Sequence, residues 1–184
     1  MSKKPDETQY RIEPLGDTHD RAAFSCSVEA LDRYLQKQAG QDVSKRVAAA
    51  FVITPDGTTI AGFHTLSAHL VNLADLPESV AKRLPRYPNV PATLLGRLAV
   101  SDNFRGQGIG ELLLLDALKR ALGNTVEVAS AVVVVDAKDE TARGFYLRHD
   151  FMPLPTQPNR LFYPMKTIEK LFPLRPEGTK ESNR

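Results

Sequence analysis

Leu94-Leu-Gly-Arg-Leu-Ala-Val-Ser-Asp-Asn-Phe-Arg-Gly-Gln-Gly-Ile-Gly-Glu-Leu-Leu-Leu-Leu-Asp-Ala-Leu118 carries most of the information in this chain. The apolar run Leu94 to Val100 reads as a strand, and a segment from about Glu111 to Leu122 reads as an apolar helix. Between them lies a loop of Arg105, Gly106, Gln107, Gly108, Ile109 and Gly110. Strand, glycine loop and helix together form an anion-binding device. Glycines let backbone N–H groups approach a phosphate closely, and a helix N-terminus favours negative charge. Arg105 adds a charged fork for phosphate oxygens. Glu111 opens the helix, where the dipole favours its charge.

Three phosphate-loop chemistries compete for this pattern. A P-loop needs a Lys-Ser or Lys-Thr pair after its glycines, and none follows here. A dinucleotide fingerprint needs Gly-x-Gly-x-x-Gly; Gly106 and Gly108 fit, but Glu111 stands in the third position. The third pattern, Arg-x-x-Gly-x-Gly, is filled by Arg105, Gly108 and Gly110. An ordinary glycine-rich turn before a helix is the bland alternative. The third pattern resembles the acetyl-CoA pyrophosphate loop of the GNAT N-acetyltransferases.

A second segment strengthens that resemblance. Ala131-Val-Val-Val-Val135 is a β-branched run of the kind buried on both sheet faces. Asp136 to His149 then reads as helical, with Ala142, Phe145, Tyr146 and His149 three and four residues apart. In GNAT enzymes the corresponding helix often carries a tyrosine beside the CoA sulfur, and Tyr146 falls at that position. Asp139 stands where the family commonly has Asn. The resemblance implies an α/β GNAT fold, a mixed central sheet with helices on both faces, and acetyl-CoA as co-substrate. It further implies that the backbone of Leu98 and Val100 holds the pantetheine arm and that Ala99 or Val100 polarises the acetyl carbonyl. Tyr146 would protonate the leaving thiol. A core tyrosine with a satisfied hydroxyl is the alternative reading.

The rest of the chain is consistent with one domain. It has 184 residues, a formal net charge of +2 and a single cysteine, Cys26. That length suits one sizeable core, and the charge excludes a strongly polybasic nucleic-acid binder. One cysteine excludes an intrachain disulfide, and no apolar stretch approaches the roughly 20 residues that span a bilayer. No apolar signal region follows Met1, so a cytoplasmic setting is expected. Residues 1–8 are expected to be flexible, 9–172 to form the acetyltransferase domain, and 173–184 to be a disordered tail.

Local patterns predict the remaining elements. Tyr10 to Leu15 reads as a strand, and Val28 to Gln38 as an amphipathic helix capped by Ser27. Val47 to Thr54 and Thr59 to Leu70 form a hairpin across Asp56-Gly57. A short helix is expected around Glu78 to Leu84, in a Pro-rich stretch that could overhang an acceptor site. A last strand is expected near Leu161 to Met165.

No metal site is expected, since there is no His-Glu-x-x-His and no cysteine pair. His64 and His69, five residues apart on a strand, fall on opposite faces and lack an obvious carboxylate partner in sequence. His149 is a weak candidate base. Cys26 reads as a buried apolar residue. A dedicated base is dispensable for an α-amine, whose reference pKa is about 7.7–8.0 against about 10.4 for lysine.

The resemblance sharpens over Phe24-Ser-Cys-Ser-Val-Glu-Ala-Leu-Asp-Arg-Tyr-Leu35, Gly96-Arg-Leu-Ala-Val100, Phe145-Tyr-Leu-Arg-His-Asp-Phe151 and Leu161-Phe-Tyr-Pro-Met165. These segments resemble the GNAT toxins of bacterial toxin–antitoxin pairs, which acetylate the α-amine of aminoacyl-tRNA. Asp150 stands where those toxins usually have Gly. The resemblance implies aminoacyl-tRNA, an antitoxin protein and a second copy of the chain as partners. Arg33, Lys37, Lys45, Arg46, Arg143, Arg148 and Arg160 are candidates for a basic rim, or for an ordinary solvated surface. An acetyltransferase of small amines or protein amines, and a CoA-binding module without turnover, stay open beside it.

Overall fold

The computed structural model describes residues 9–173. The expected flexible start and, apart from Pro173, the expected tail lie outside the described residues. Seven strands form one sheet in the order β1-β2-β3-β4-β5-β7-β6. They are β1 (Arg11–Pro14), β2 (Ala49–Thr54), β3 (Gly62–Asn72), β4 (Asn89–Val100), β5 (Val132–Asp136), β6 (Met152–Leu154) and β7 (Gln157–Pro164). Only β4 and β5 run parallel; every other pair is antiparallel. The parallel pair is joined by a crossover through helix α4 (Ile109–Asn124), as a parallel connection requires.

One face of the sheet is covered by a helical run of α1 (Glu29–Arg33), a π-helical turn over Tyr34–Gln38, and α2 (Ala39–Ser44). This run is longer than the expected helix, because the wide turn lets Tyr34, Leu35 and Ala39 all bury against Phe24, Val52, Phe63 and Ala99. Ser27 does not cap it. Val28 is the N-cap, and Ser27 adopts a left-handed φ of 60° that sends its hydroxyl to Asp102 at 2.8 Å. The short helix α3 (Glu78–Ala81) lies on the same face, packed beside Val71, Val90, Val132, Val134 and Phe162.

The opposite face carries α4 and α5 (Glu140–Arg148). Leu114, Ala117 and Leu118 of α4 pack on Val133, Val135 and Leu161, and Tyr146 of α5 joins them. Val132 to Val135 are all buried, with alternate residues in the two opposed clusters, as a two-sided strand requires. Gly62 seats α4 against the sheet: a Cβ there would lie 2.7 Å from the Ala99 carbonyl and 2.8 Å from Leu113 Cδ1. Buried His64 pins the same helix, its Nε2 lying 2.7 Å from Asp116, which also accepts from Arg120 at 2.7 Å. Burial alone would raise the Asp116 carboxyl, but bonds from His64 and Arg120 hold it below its ordinary value.

The last strand starts earlier than expected and ends at Pro164; Met165 begins α6 (Met165–Ile168), behind a proline that fits the entry of a helix. The stretch 136–139, expected within a helix, finishes β5 and forms the turn before α5.

Two irregularities in β4 position the site. The β3–β4 register passes from Leu66↔Leu95 to Thr65↔Arg97, so Gly96 is an extra residue. Such a bulge resets alternation. Leu95 and Leu98, three residues apart, therefore both pack toward α4, while Arg97 turns to the α1 face. Pairing between β4 and β5 also ends at Leu95↔Val135, although β4 continues to Val100. The two parallel strands diverge and leave an opening in the middle of the sheet.

Candidate active site

A cleft of about 520 Å³ occupies that opening. Its floor is Leu98, Ala99 and Val100. Ser101 donates its N–H to the carbonyl of Ala61, the residue just before β3, at 2.8 Å. Because ladder direction alternates along a strand, Ala99 also faces β3, and the polar backbone of Leu98 and Val100 faces the gap. These groups lie where a strand-like ligand could pair with them.

The glycine loop and the start of α4 form one wall. Gly106 and Gly108 have φ of 74° and 76°, the left-handed region that glycine enters without a Cβ penalty. Gly108 is the N-cap of α4 and makes no side-chain cap, so the first-turn N–H groups stay open toward the cleft. Gly106, Gly108, Ile109 and Gly110 all line it. Arg105 also lines it, but its guanidinium donates to the Cys26 carbonyl at 2.8 Å and pairs with Asp102 at 2.6 Å. Arg105 thus anchors the loop as well as adding charge. Gln107 alone of the loop lies outside the cleft lining; its side chain accepts a hydrogen bond from Tyr10 at 2.8 Å.

Helix α5 forms the second wall. Asp139 caps it, accepting from Ala142 N–H at 2.8 Å, so its carboxylate is committed to the helix terminus. Tyr146 lines the cleft and is 6% exposed. Its hydroxyl has no hydrogen-bond partner among the described residues, and burial pushes the phenol well above its ordinary pKa. A buried phenol normally finds a partner in the fold; this one finds none among the described residues, in a residue that lines the cleft.

The helix end that holds Tyr146 is built by Asp150. Phe151 N–H returns to the Tyr146 carbonyl at 3.1 Å and Asp150 N–H to Leu147 at 3.2 Å, a Schellman closure. The closure needs a left-handed residue, and Asp150 has φ of 67°. Phe151 is thereby packed on the Tyr146 ring, with centroids 5.4 Å apart. Asp150→Gly should relieve the strain of a non-glycine in this region, raising stability by up to ~1 kcal/mol and the melting temperature by about 2–4 °C. Calorimetric melting of the two proteins checks it.

A third set of cleft residues lay beyond local sequence signals. Cys26, Val28 and Leu31 close the cleft from the α1 side, and Lys138 and Thr141 join α5's wall. Cys26 is buried as expected, and burial, followed by its contact with Asp32, pushes the thiol up to about 11. It is a protonated wall residue.

No histidine lines the cleft. His64 is committed to Asp116, a partner 52 residues away in sequence. His69 on the opposite face of β3 lies 3.4 Å from Arg160, and burial together with that charge lowers its pKa. His149 Nδ1 sits 2.8 Å from the Phe145 carbonyl. Among the described residues no cluster of three or more His, Cys, Asp or Glu could hold a metal, and no helix is long and apolar enough to cross a membrane. Of the candidate basic residues, Arg148 lines the cleft, and Arg33 and Lys37 line a neighbouring groove; Arg33 pairs with Glu29, Arg160 with Asp136, and Arg143 donates to the Pro158 carbonyl.

Comparison with known proteins places the chain among acetyltransferases. Residues 48–153 match the acetyltransferase (GNAT) domain family. The chain is 35% identical over 170 residues to a probable toxin TacT of Sinorhizobium fredii, covering 88% of this chain and 94% of the relative. It is 34% identical over 158 residues to a tRNA-acetylating toxin of Mycobacterium tuberculosis, covering 86% and 93%. Its fold superposes with a TM-score of 0.82 on AtaT complexed with acetyl-methionyl-tRNAfMet, at 31% identity, covering 89% of this chain and 99% of that one.

Proposed function

The chain belongs to the GNAT acetyltransferase family, and from that membership we propose that it transfers acetyl from acetyl-CoA to the α-amine of aminoacyl-tRNA. The observation that carries the donor half is the cleft where β4 leaves β5, flanked by an uncapped helix N-terminus and a tyrosine hydroxyl without a partner among the described residues. Backbone N–H groups from Gly106 to Gly110 hold the pyrophosphate, aided by the helix dipole and the free N–H groups of Arg105. The pantetheine arm pairs with Leu98 and Val100 as an added strand. Of the two amides weighed for the acetyl carbonyl, Val100 faces the gap, so its N–H is the polarising donor. Asp139 shapes the cleft by capping α5.

The acceptor amine attacks the thioester carbonyl, the C–S bond breaks, and Tyr146 donates a hydrogen bond and then a proton to the departing sulfur. The tyrosine regains a proton from solvent as the acetylated amine sheds its own. With no histidine in the cleft, the acceptor enters as the free base. An α-amine suits this, because a useful fraction is neutral near pH 7. The tRNA acceptor rests on the tRNA-acetylating relative and the AtaT complex, and it makes the cytoplasm the site of action. An antitoxin protein is the corresponding partner.

The deciding experiment offers the purified protein labelled acetyl-CoA with charged tRNA, free amino acids, polyamines and peptides together. Label on the amino acid of charged tRNA is the expected result. Label on a polyamine or peptide with charged tRNA untouched overturns the acceptor; CoA binding without any turnover overturns the enzyme.

A further inference from the structure

Two segments far apart in the chain are laced together beside the cleft. The Asp102 N–H donates to the Ser25 carbonyl at 2.9 Å. Its carboxylate Oδ2 accepts from the hydroxyl of Ser27, 75 residues earlier, at 2.8 Å. Its other oxygen, Oδ1, is buried and lies 2.6 Å from Nη2 of Arg105, yet it has no aligned hydrogen-bond donor among the described residues. Nη2 donates instead to the Cys26 carbonyl at 2.8 Å. Asp102 thus holds the Arg105 charge in place by attraction, and Arg105 uses its hydrogen bond on residue 26. Ser27 keeps a left-handed φ of 60°, unfavourable for a residue with a Cβ, in making its bond to Asp102.

The laced segments line different parts of one cavity. Arg105 belongs to the glycine loop, and Cys26 and Val28 to the wall on the α1 side. The donor's pyrophosphate and the Tyr146 hydroxyl belong to the α4 and α5 walls, on the opposite face of the sheet. The α1 side is therefore left for the incoming amine. Arg105 then has two claimants. A pyrophosphate in the loop and the Asp102 carboxylate compete for one guanidinium, and the carboxylate repels the pyrophosphate as a like charge. An acid at this position opposes donor binding, so its use lies in what it holds.

We propose that Asp102 is a positioning residue for the acceptor: it keeps Arg105 on the Cys26 carbonyl and Ser27 in its turn, fixing the wall past which the amine reaches the thioester, while it weakens the hold on the donor. This rests on the acetyl-CoA and aminoacyl-tRNA reading above. The two effects have opposite signs, and a merely structural role would lower donor and acceptor binding together.

The test compares wild-type, Asp102→Asn and Ser27→Ala proteins. Asparagine keeps the shape and an oxygen for Ser27 but releases Arg105. In calorimetric titration, Asp102→Asn should bind acetyl-CoA roughly two- to fivefold more tightly, the worth of one partly exposed charge contact. The gain should shrink as salt is raised. Ser27→Ala should bind acetyl-CoA as wild type does. Ser27 is exposed, so that variant folds even where the change at Asp102 disturbs the loop. Each variant should lower kcat/KM for charged tRNA by roughly two- to tenfold, the worth of one hydrogen bond. Acetyl-CoA affinity that is unchanged or weaker in Asp102→Asn overturns the proposal, as does undiminished acceptor use in both variants. Wild-type protein that leaves charged tRNA unacetylated overturns the acceptor reading instead; the acceptor arm then uses the amine that takes the label, and the calorimetric arm stands.

Discussion

Gly108→Asp should all but abolish acetyl-CoA binding in a protein that still folds. Gly108 is the left-handed N-cap of α4, with φ of 76°. Aspartate enters that region more readily than most residues and is itself a good N-cap. The new carboxylate would cap the first-turn N–H groups from within the chain, removing the donors proposed for the pyrophosphate. It would also set a negative charge against the pyrophosphate proposed for this loop. Like charges roughly 4 Å apart repel by ~4 kcal/mol at an effective dielectric near 20. Loss of donors and repulsion act together, so affinity should fall by at least two to three orders of magnitude. Calorimetric titration reads it, and the melting temperature should stay within a few degrees. Gly108→Asn separates the causes. It has nearly the same shape and backbone tolerance without the charge, and should lose far less. Full affinity in the aspartate variant would place the pyrophosphate elsewhere.

Tyr146→Phe should lower turnover by roughly 10²–10⁴-fold, the usual contribution of a positioned proton donor, with little change in acetyl-CoA affinity. The ring packs on Phe145 and Phe151, and phenylalanine keeps those contacts. Only the hydroxyl is lost, and it has no partner among the described residues, so the change strands no buried group. Stability should be unaltered or slightly higher. The raised pKa fixes the sign of the pH dependence: the phenol stays protonated throughout the range in which an ordinary tyrosine, near pKa 10, would still be neutral. Wild-type kcat/KM should rise with pH as the acceptor amine loses its proton, without an alkaline fall from Tyr146. The variant should show the same rise at a lower level. Near wild-type turnover in Tyr146→Phe would assign the proton to water.

The legible part of this protein was its local part. A left-handed glycine, a helix start, a valine run and a tyrosine at helical spacing are decided by residues next to each other. The loop from Arg105 to Gly110, the two-sided strand β5 and the wall carrying Tyr146 were therefore readable. Element boundaries slipped where tertiary packing overrode local preference. Ser27 reads as a cap, yet a bond to Asp102, 75 residues later, draws its hydroxyl away. Gln38 looks like the end of a helix, yet a π-turn carries the run on to Ser44.

His64 and Arg97 show the limit most clearly. Nothing near His64 in sequence marks it as the partner of Asp116, and nothing near Arg97 marks it as stacked on Tyr34. The bulge at Gly96 turns Arg97 out of its expected face, and a bulge is a property of two paired strands. The divergence of β4 from β5 is likewise absent from either strand alone. It appears because their pairing stops at Leu95 and Val135 while β4 continues along β3 to Val100. The chain's own order of residues settled the fold and the backbone of the glycine loop, since those follow from backbone sterics and side-chain period over short distances. Which groups face one cleft, which ring Arg97 stacks on and which carboxylate meets His64 were decided only by tertiary structure, because each depends on contacts between segments far apart along the chain.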